Sequence, residues 1–248
     1  MNRSLLNPDN LLTAFLSQYK SDFPKDQVYE TIIKLIDQLS FFEDLSIVDN
    51  KAIDNGSLKI GGLRGIWVLS GPGFFDQATK KDGYENFSWA RFMGRDRLRY
   101  AEEIIILHND QKPWLIFNGR QDENKNLKKT VLHGNLTISP ERLHVVDNPR
   151  IRKTIDQVSY FNLPNSNEWK RGDVLGVVTH SPHMIRFLHL LGVDKKIIPE
   201  GVIVRPFPIT SPKGCIPEYW NMEILGLLYR IYITRQASSE IYPYRILS

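Results

Sequence analysis

Apolar positions near the amino terminus recur at intervals of three and four, at Leu11, Leu12, Phe15, Leu16 and Tyr19 and again at Ile32, Ile33, Leu35, Ile36 and Leu39. Such spacing predicts amphipathic helices. Leu11, Phe15, Ile32, Ile36 and Phe41 then need a surface to cover, so this lead-in is expected to fold as one unit with the rest of the chain. Residues 49–57 are polar and contain the adjacent Asn55 and Gly56, which reads as a turn. From Gly65 onward the rhythm changes to short apolar runs at 66–70, 114–118, 143–147, 174–179 and 202–207, separated by amphipathic segments. Strands alternating with helices call for a mostly parallel sheet covered on both faces. The expected fold is a single three-layer α/β domain over 1–248, with a helical extension over 1–55, a core over 60–210 and a helical cap over 211–248.

Local signals place helix ends. Asn148 before Pro149 and Ser181 before Pro182 each put a capping side chain ahead of a proline at the first helical position. Gly192 reads as the left-handed close of the second of these helices. A helix over 88–107 carries Arg91, Arg95 and Arg99 as a basic stripe, with Gly94, Leu98, Ala101 and Ile105 on an apolar face and Arg97 at its edge. Charged stripes usually meet only water, whereas an arginine beside a buried face needs a partner. Pro206, Pro208, Pro212 and Pro217 then make an extended connection to a final helix over 219–235.

Composition narrows the class. With 248 residues, 42% hydrophobic and 24% charged, the chain has the make-up of a globular protein with a sizeable core, which excludes collagen and disorder. A net charge of +4, from 32 basic and 28 acidic residues, is too small to imply a nucleic-acid or membrane partner. The single cysteine, Cys215, excludes an internal disulfide and fits a reducing cytoplasm. Residues 1–10 lack a signal-peptide core, and the apolar stretch 224–233 is interrupted by Arg230 and falls short of the ~20 residues of a membrane span. Neither a secretion signal nor a membrane anchor is expected.

In an open parallel sheet, ligands settle beyond the carboxyl ends of the strands, where loops converge and helix N-termini point in. The turn Ser70, Gly71, Pro72, Gly73 would allow close backbone approach to a ligand, or is simply a tight turn; it lacks the third glycine of a dinucleotide fingerprint. Residues 177–186 are more specific, because Thr179, His180, Ser181 and His183 put hydroxyls, imidazoles and backbone donors on one rim at a helix start. Arg186, one turn on, could add a planar fork for phosphate or carboxylate. The competing reading has the histidines packing locally and Arg186 solvated. The helix after Asn148 opens with Arg150, Arg152, Lys153, Thr154, Asp156 and Gln157, a basic start that wants an anion or an acidic neighbour, or else an exposed cap. No nucleophile elbow, phosphate loop or metal site is visible.

Several segments form an ordered series. Residues 66–73 give a strand and glycine turn, Arg97, Leu98 and Ala101 an Arg-Leu-x-x-Ala pattern, and 113–119 a strand entering a glycine loop. Residues 153–157 come next, and then Val178, Thr179, His183, Met184 and Arg186 as Val-Thr-x-x-x-His-Met-x-Arg, with 201–208 and Glu223 after them. In this series, over about residues 65–235, the chain resembles the SanA/YdcF/ElyC-like family, a domain of unknown function found in bacteria. Against that family's Ser-Gly-Gly, Asn118 replaces the serine and Arg120 the second glycine; against its Asn-Thr-x-Glu-Asn, only Thr154 is identical, with Asp156 and Gln157 a shorter acid and a longer amide. Its usual Ser-Glu-Ala helix start is not evident around 122–125. The resemblance implies a Rossmann-like sheet with a polar cleft, which is read as lying over Gly71, Gly73, Gly119, Thr154, Thr179, His183 and Arg186, with Asp156 a further candidate ligand-binding residue. Family members are associated with the bacterial envelope or are cytoplasmic, and no general reaction is established for them.

The expected function is therefore binding of an anionic, nucleotide-type or phosphorylated small molecule. In one reading His183 moves a proton, Arg97 and Arg186 hold the anion, and the protein is a transferase or hydrolase in envelope-related metabolism. In a second it is a non-catalytic regulatory module using the same residues. In a third it is a structural adaptor that presents Trp89, Trp220 or the arginine stripe as a contact surface. The sequence implies no particular cofactor and no metal; the expected partner is a small anionic ligand, and the expected location is the cytoplasm.

Overall fold

A computed structural model describes residues 6–19, 23–70, 97–132, 134, 136–210 and 216–247. Helices α1 (Pro8–Tyr19) and α2 (Lys25–Asp54) lead into strand β1 (Leu63–Val68). Then come α3 (Arg97–Leu107), β2 (Trp114–Phe117), α4 (Gln121–Leu132), β3 (Leu143–Val145), α5 (Thr154–Ser159), β4 (Val174–His180), α6 (Ser181–Leu191), β5 (Ile203–Ile209) and α7 (Ile216–Leu228). A single π turn, Tyr229–Ile233, extends α7.

All five strands pair in parallel, in the order β3-β2-β1-β4-β5. The strands are mostly apolar because both faces of the sheet are covered, as parallel sheets require; the edge strand β3, with His144, is only half-buried. Trp67, Leu175, Val177 and Val204 face one layer with α1, α2, α6 and α7. Ile66, Val68, Leu115, Phe117 and Phe207 face the other, with α3 and α4. The architecture is thus three-layer, α/β and Rossmann-like, with helices before and after the sheet. Gly176 in the middle of β4 is set by packing: a Cβ there would sit 2.5 Å from Ile66 Cδ1 and 2.7 Å from the Phe207 ring.

The lead-in is part of this core. Phe15, Val28, Ile32 and Phe42 are fully enclosed. Phe41, expected to be covered, is 42% exposed and packs on one side against Phe42 and Tyr244. Trp220, considered as a contact surface, is buried in the first layer and offers none.

Four local expectations are corrected. The polar stretch at 49–57 is helical as far as Asp54, and Asp49 is buried because it faces Arg205 of β5; only Asn55 and Gly56 turn. Asn148 caps no helix: its carbonyl side chain accepts from Arg150 N, and α5 starts only at Thr154, so Arg150, Arg152 and Lys153 precede the helix. Ser181 does not cap α6, since its hydroxyl donates to Ile209 O of β5. Gly192 is right-handed (φ −65°), and what excludes a side chain there is Glu240 O, 2.7 Å from where a Cβ would lie. Trp89, Arg91, Gly94, Arg95, Pro212, Cys215 and the expected helix before Arg97 lie outside the described residues.

Candidate functional site

In the observed strand order the chain leaves β1 toward β2 on one side and returns to β4 on the other, so the switch point at which open parallel sheets place a ligand crevice falls at the carboxyl ends of β1 and β4. Arg97, Thr154, Thr179, His180, His183 and Arg186 all belong to elements that end or begin there. Gly71 and Gly73, which come after β1, lie outside the described residues.

Arg97 is 4% exposed. Its Nη1 donates to Leu69 O (2.7 Å) and its Nε to His180 Nδ1 (3.0 Å). Because guanidinium only donates, His180 carries its ring proton on Nε2. Ion pairs among the described residues do not include Arg97, although Glu123 and Glu223 act on it electrostatically at longer range. Burial is the main cause that pushes its pKa down to about 10, with the repulsion of Arg186 adding to it, so it stays charged at neutral pH.

His183, on the first turn of α6, is enclosed by two hydroxyls: Thr179 Oγ1 is 3.0 Å from Nδ1 and Thr154 Oγ1 is 2.9 Å from Nε2. Burial, then Arg186, Arg97 and His180, hold its pKa well below the ordinary 6.5, so the imidazole is neutral. Arg186 continues the chain of contacts, with Nη2 at 3.5 Å from Thr154 Oγ1 and Nη1 at 3.0 and 2.9 Å from the two Glu223 oxygens. It is not solvated. Thr154, Thr179, His180, His183, Arg97 and Arg186 are therefore brought together.

Other expected residues are not part of that constellation. Asp156 Oδ2 accepts from Arg152 N and Lys153 N, both at 2.9 Å, and so fastens the start of its own helix. The Ser181 hydroxyl is turned away toward β5. Gly119 is a glycine because a Cβ would collide with the Phe117 ring (2.5 Å) and with Glu123 Oε2 (2.7 Å). Asn118 is equally internal, accepting from Trp67 Nε1 (2.8 Å) and donating to Gln157 O (2.6 Å).

Two side chains at the crevice escape sequence reasoning. Glu123, buried in the first turn of α4, accepts from Arg120 N and interacts with the Ser70 hydroxyl; burial raises its pKa above the ordinary carboxyl value. Its only sequence signal is an acid just after a strand and glycine, at a helix start. Tyr219 of α7 hydrogen-bonds Glu223, and burial followed by the charge of Glu223 pushes its phenol well up. Nothing in the sequence marks it. Among the described residues no group of three or more His, Cys, Asp or Glu is arranged to hold a metal ion. No described helix is long and apolar enough to cross a membrane.

Comparison of the chain with family models, curated proteins and solved structures finds no match to any of them.

Proposed function

We propose that the chain binds the phosphate-bearing part of a nucleotide-type or phosphorylated small molecule in the crevice between β1 and β4. The observation that supports this most is Arg97: a fully charged guanidinium, buried at the carboxyl edge of the sheet, whose described hydrogen-bond partners are a carbonyl and a neutral imidazole. Burying a cation without a paired carboxylate is costly, and an anionic ligand would supply what the described residues leave out. Arg186 adds a second cation, partly offset by Glu223. The ordered series of residues shared with the SanA/YdcF/ElyC-like family supports the same reading, and with it membership of that family, a cytoplasmic location and a role in bacterial envelope-related metabolism.

A second reading, a regulatory binding module without turnover, is favoured by the enclosure of His183, both of whose nitrogens are occupied by the protein's own hydroxyls. Thermal shift with inorganic phosphate, nucleotides and sugar phosphates tests the shared claim. A ligand at a hundred times its Kd should stabilise the fold by about 2.7 kcal/mol. Binding should weaken with added salt and in Arg186→Gln. A panel that shifts neither the wild type nor the variant would overturn the anion site.

A further inference from the structure

We propose that Thr154 is a nucleophile that takes up a phosphoryl group, with His183 as its base and Thr179 as the group that orients that base. The proposal rests on the anion-binding reading above and adds a reacting atom to it. An accessible hydroxyl, a base within hydrogen-bond reach and a third group holding the base form the arrangement by which a weak alcohol is activated. Here the spacing is 2.9 Å from Thr154 Oγ1 to His183 Nε2 and 3.0 Å from His183 Nδ1 to Thr179 Oγ1. Thr154 is only half-buried, whereas Thr179 and His183 are fully enclosed.

In the proposed arrangement Arg186 Nη2, which has only protons to give, faces one lone pair of Thr154 Oγ1 at 3.5 Å, and the threonine gives its own proton to His183 Nε2. His183 then carries its own proton on Nδ1 and donates it to Thr179. That is the tautomer a base needs. Burial and the two nearby arginines keep the imidazole neutral in the absence of an anion. A bound phosphate offsets those cations and raises the proton affinity of Nε2 when the reaction calls for it. The guanidinium beside the hydroxyl also selects an anionic electrophile, and Arg186 Nε is buried with no hydrogen-bond partner among the described residues.

In the step itself, Thr154 Oγ1 attacks phosphorus and its proton passes to His183 Nε2. A new O–P bond forms as the bond from phosphorus to the leaving oxygen breaks. The leaving oxygen keeps that electron pair and takes a proton from solvent. Water then enters from the vacated side and gives one proton to solvent; Thr154 Oγ1 departs with its bonding pair and recovers its proton from His183. The balance is hydrolysis of a phosphate ester or anhydride to inorganic phosphate.

Orthovanadate tests this without knowledge of the substrate, because it adopts the five-coordinate geometry of the transition state when an alkoxide binds it. Calorimetry with the full chain should show orthovanadate binding about 10²-fold or more tighter than inorganic phosphate. Thr154→Ser should keep that preference, and Thr154→Val should lose it, orthovanadate and inorganic phosphate then binding with equal affinity. Protonation of His183 at low pH should abolish the preference before it abolishes phosphate binding, which a purely structural hydroxyl would not produce. Equal affinity for the two anions in the wild type, or a preference that survives in Thr154→Val, would overturn the nucleophile and leave the anion site standing. Failure of both anions to bind would overturn the two together.

Discussion

The guanidinium of Arg205 in β5 grips the carboxylate of Asp49 in α2 at two points, Nη1 to Oδ2 at 2.5 Å and Nη2 to Oδ1 at 2.7 Å, with both side chains out of solvent. The same guanidinium lies 4.2 Å from the centre of the Phe207 ring and donates to Leu247 O at 3.3 Å from Nη2. One residue thus joins the lead-in helix, the edge strand and the carboxyl-terminal tail. Removing one partner would strand the other charge in the interior. Asp49→Asn should lower stability by about 3–5 kcal/mol in urea unfolding, whereas Asp49→Leu combined with Arg205→Met should come close to the wild type. A double variant as unstable as the single one would show that the pair contributes specific bonding beyond its charge.

Arg97 is expected to behave in the opposite way. Its charge is buried without a paired carboxylate among the described residues, so replacing it removes a desolvation cost along with two hydrogen bonds. Arg97→Met should keep its melting temperature within a few degrees of the wild type. Binding of a phosphorylated ligand should fall by about 1.5–3 kcal/mol per lost charged hydrogen bond, at least one decade in affinity. Stability and binding measured on the same sample separate the two effects. A large loss of stability with unchanged affinity would make Arg97 a structural residue.

These two arginines also mark where sequence reading stops. The sheet is legible because its inner strands β2 and β4 are buried and show as apolar runs, and the helix after Thr179 is legible from its proline and spacing. An arginine at the edge of an apolar face announces that it needs a partner. It cannot announce which: Leu69 and His180 lie 28 and 83 residues away. Asp49 is hidden for the same reason, since its polar neighbours suggest a turn and only the fold puts Arg205 across from it 156 residues later. Glu123 becomes conspicuous once the end of β1 brings Ser70 against it. Gly192 stands out at a helix end, yet the carbonyl that excludes a Cβ there belongs to the tail rather than to the helix, and no local pattern shows it.

Stability should depend on pH through His183. Its folded pKa lies well below the ordinary 6.5, with burial the main cause. As pH falls through 6.5 the unfolded imidazole takes up a proton that the folded one refuses, so the unfolded state gains and stability drops until the folded pKa is reached. His189, also lowered by burial, adds in the same direction. Glu123 acts oppositely: its raised pKa means that stability is lost as pH climbs above the ordinary 4.5 toward the folded value. Comparison with His183→Asn isolates the histidine, and the variant's stability should fall less steeply on acidification below 6.5. Parallel stability curves for the two proteins would show that His183 titrates alike in both states.

The tail after the π turn is held to α6 by backbone bonds at two places, Ser238 N to His189 O at 3.0 Å and Tyr242 N to Leu188 O at 3.1 Å. Gly192 lets it approach, because Glu240 O occupies the space a side chain would need. The backbone at Gly192 is ordinary right-handed helix, so alanine brings no dihedral strain and its effect reports the steric contact alone. A flexible side chain could swing aside, but a carbonyl fixed between two backbone hydrogen bonds cannot move without breaking one. Gly192→Ala should therefore cost about 1–3 kcal/mol, the usual penalty of overpacking. Hydrogen exchange should speed up at the amides of Ser238 and Tyr242, while amides in β1 and β4 keep their protection relative to global stability. If those two amides exchanged as slowly as before, the tail would not depend on Gly192, and the glycine would have no role that this fold explains.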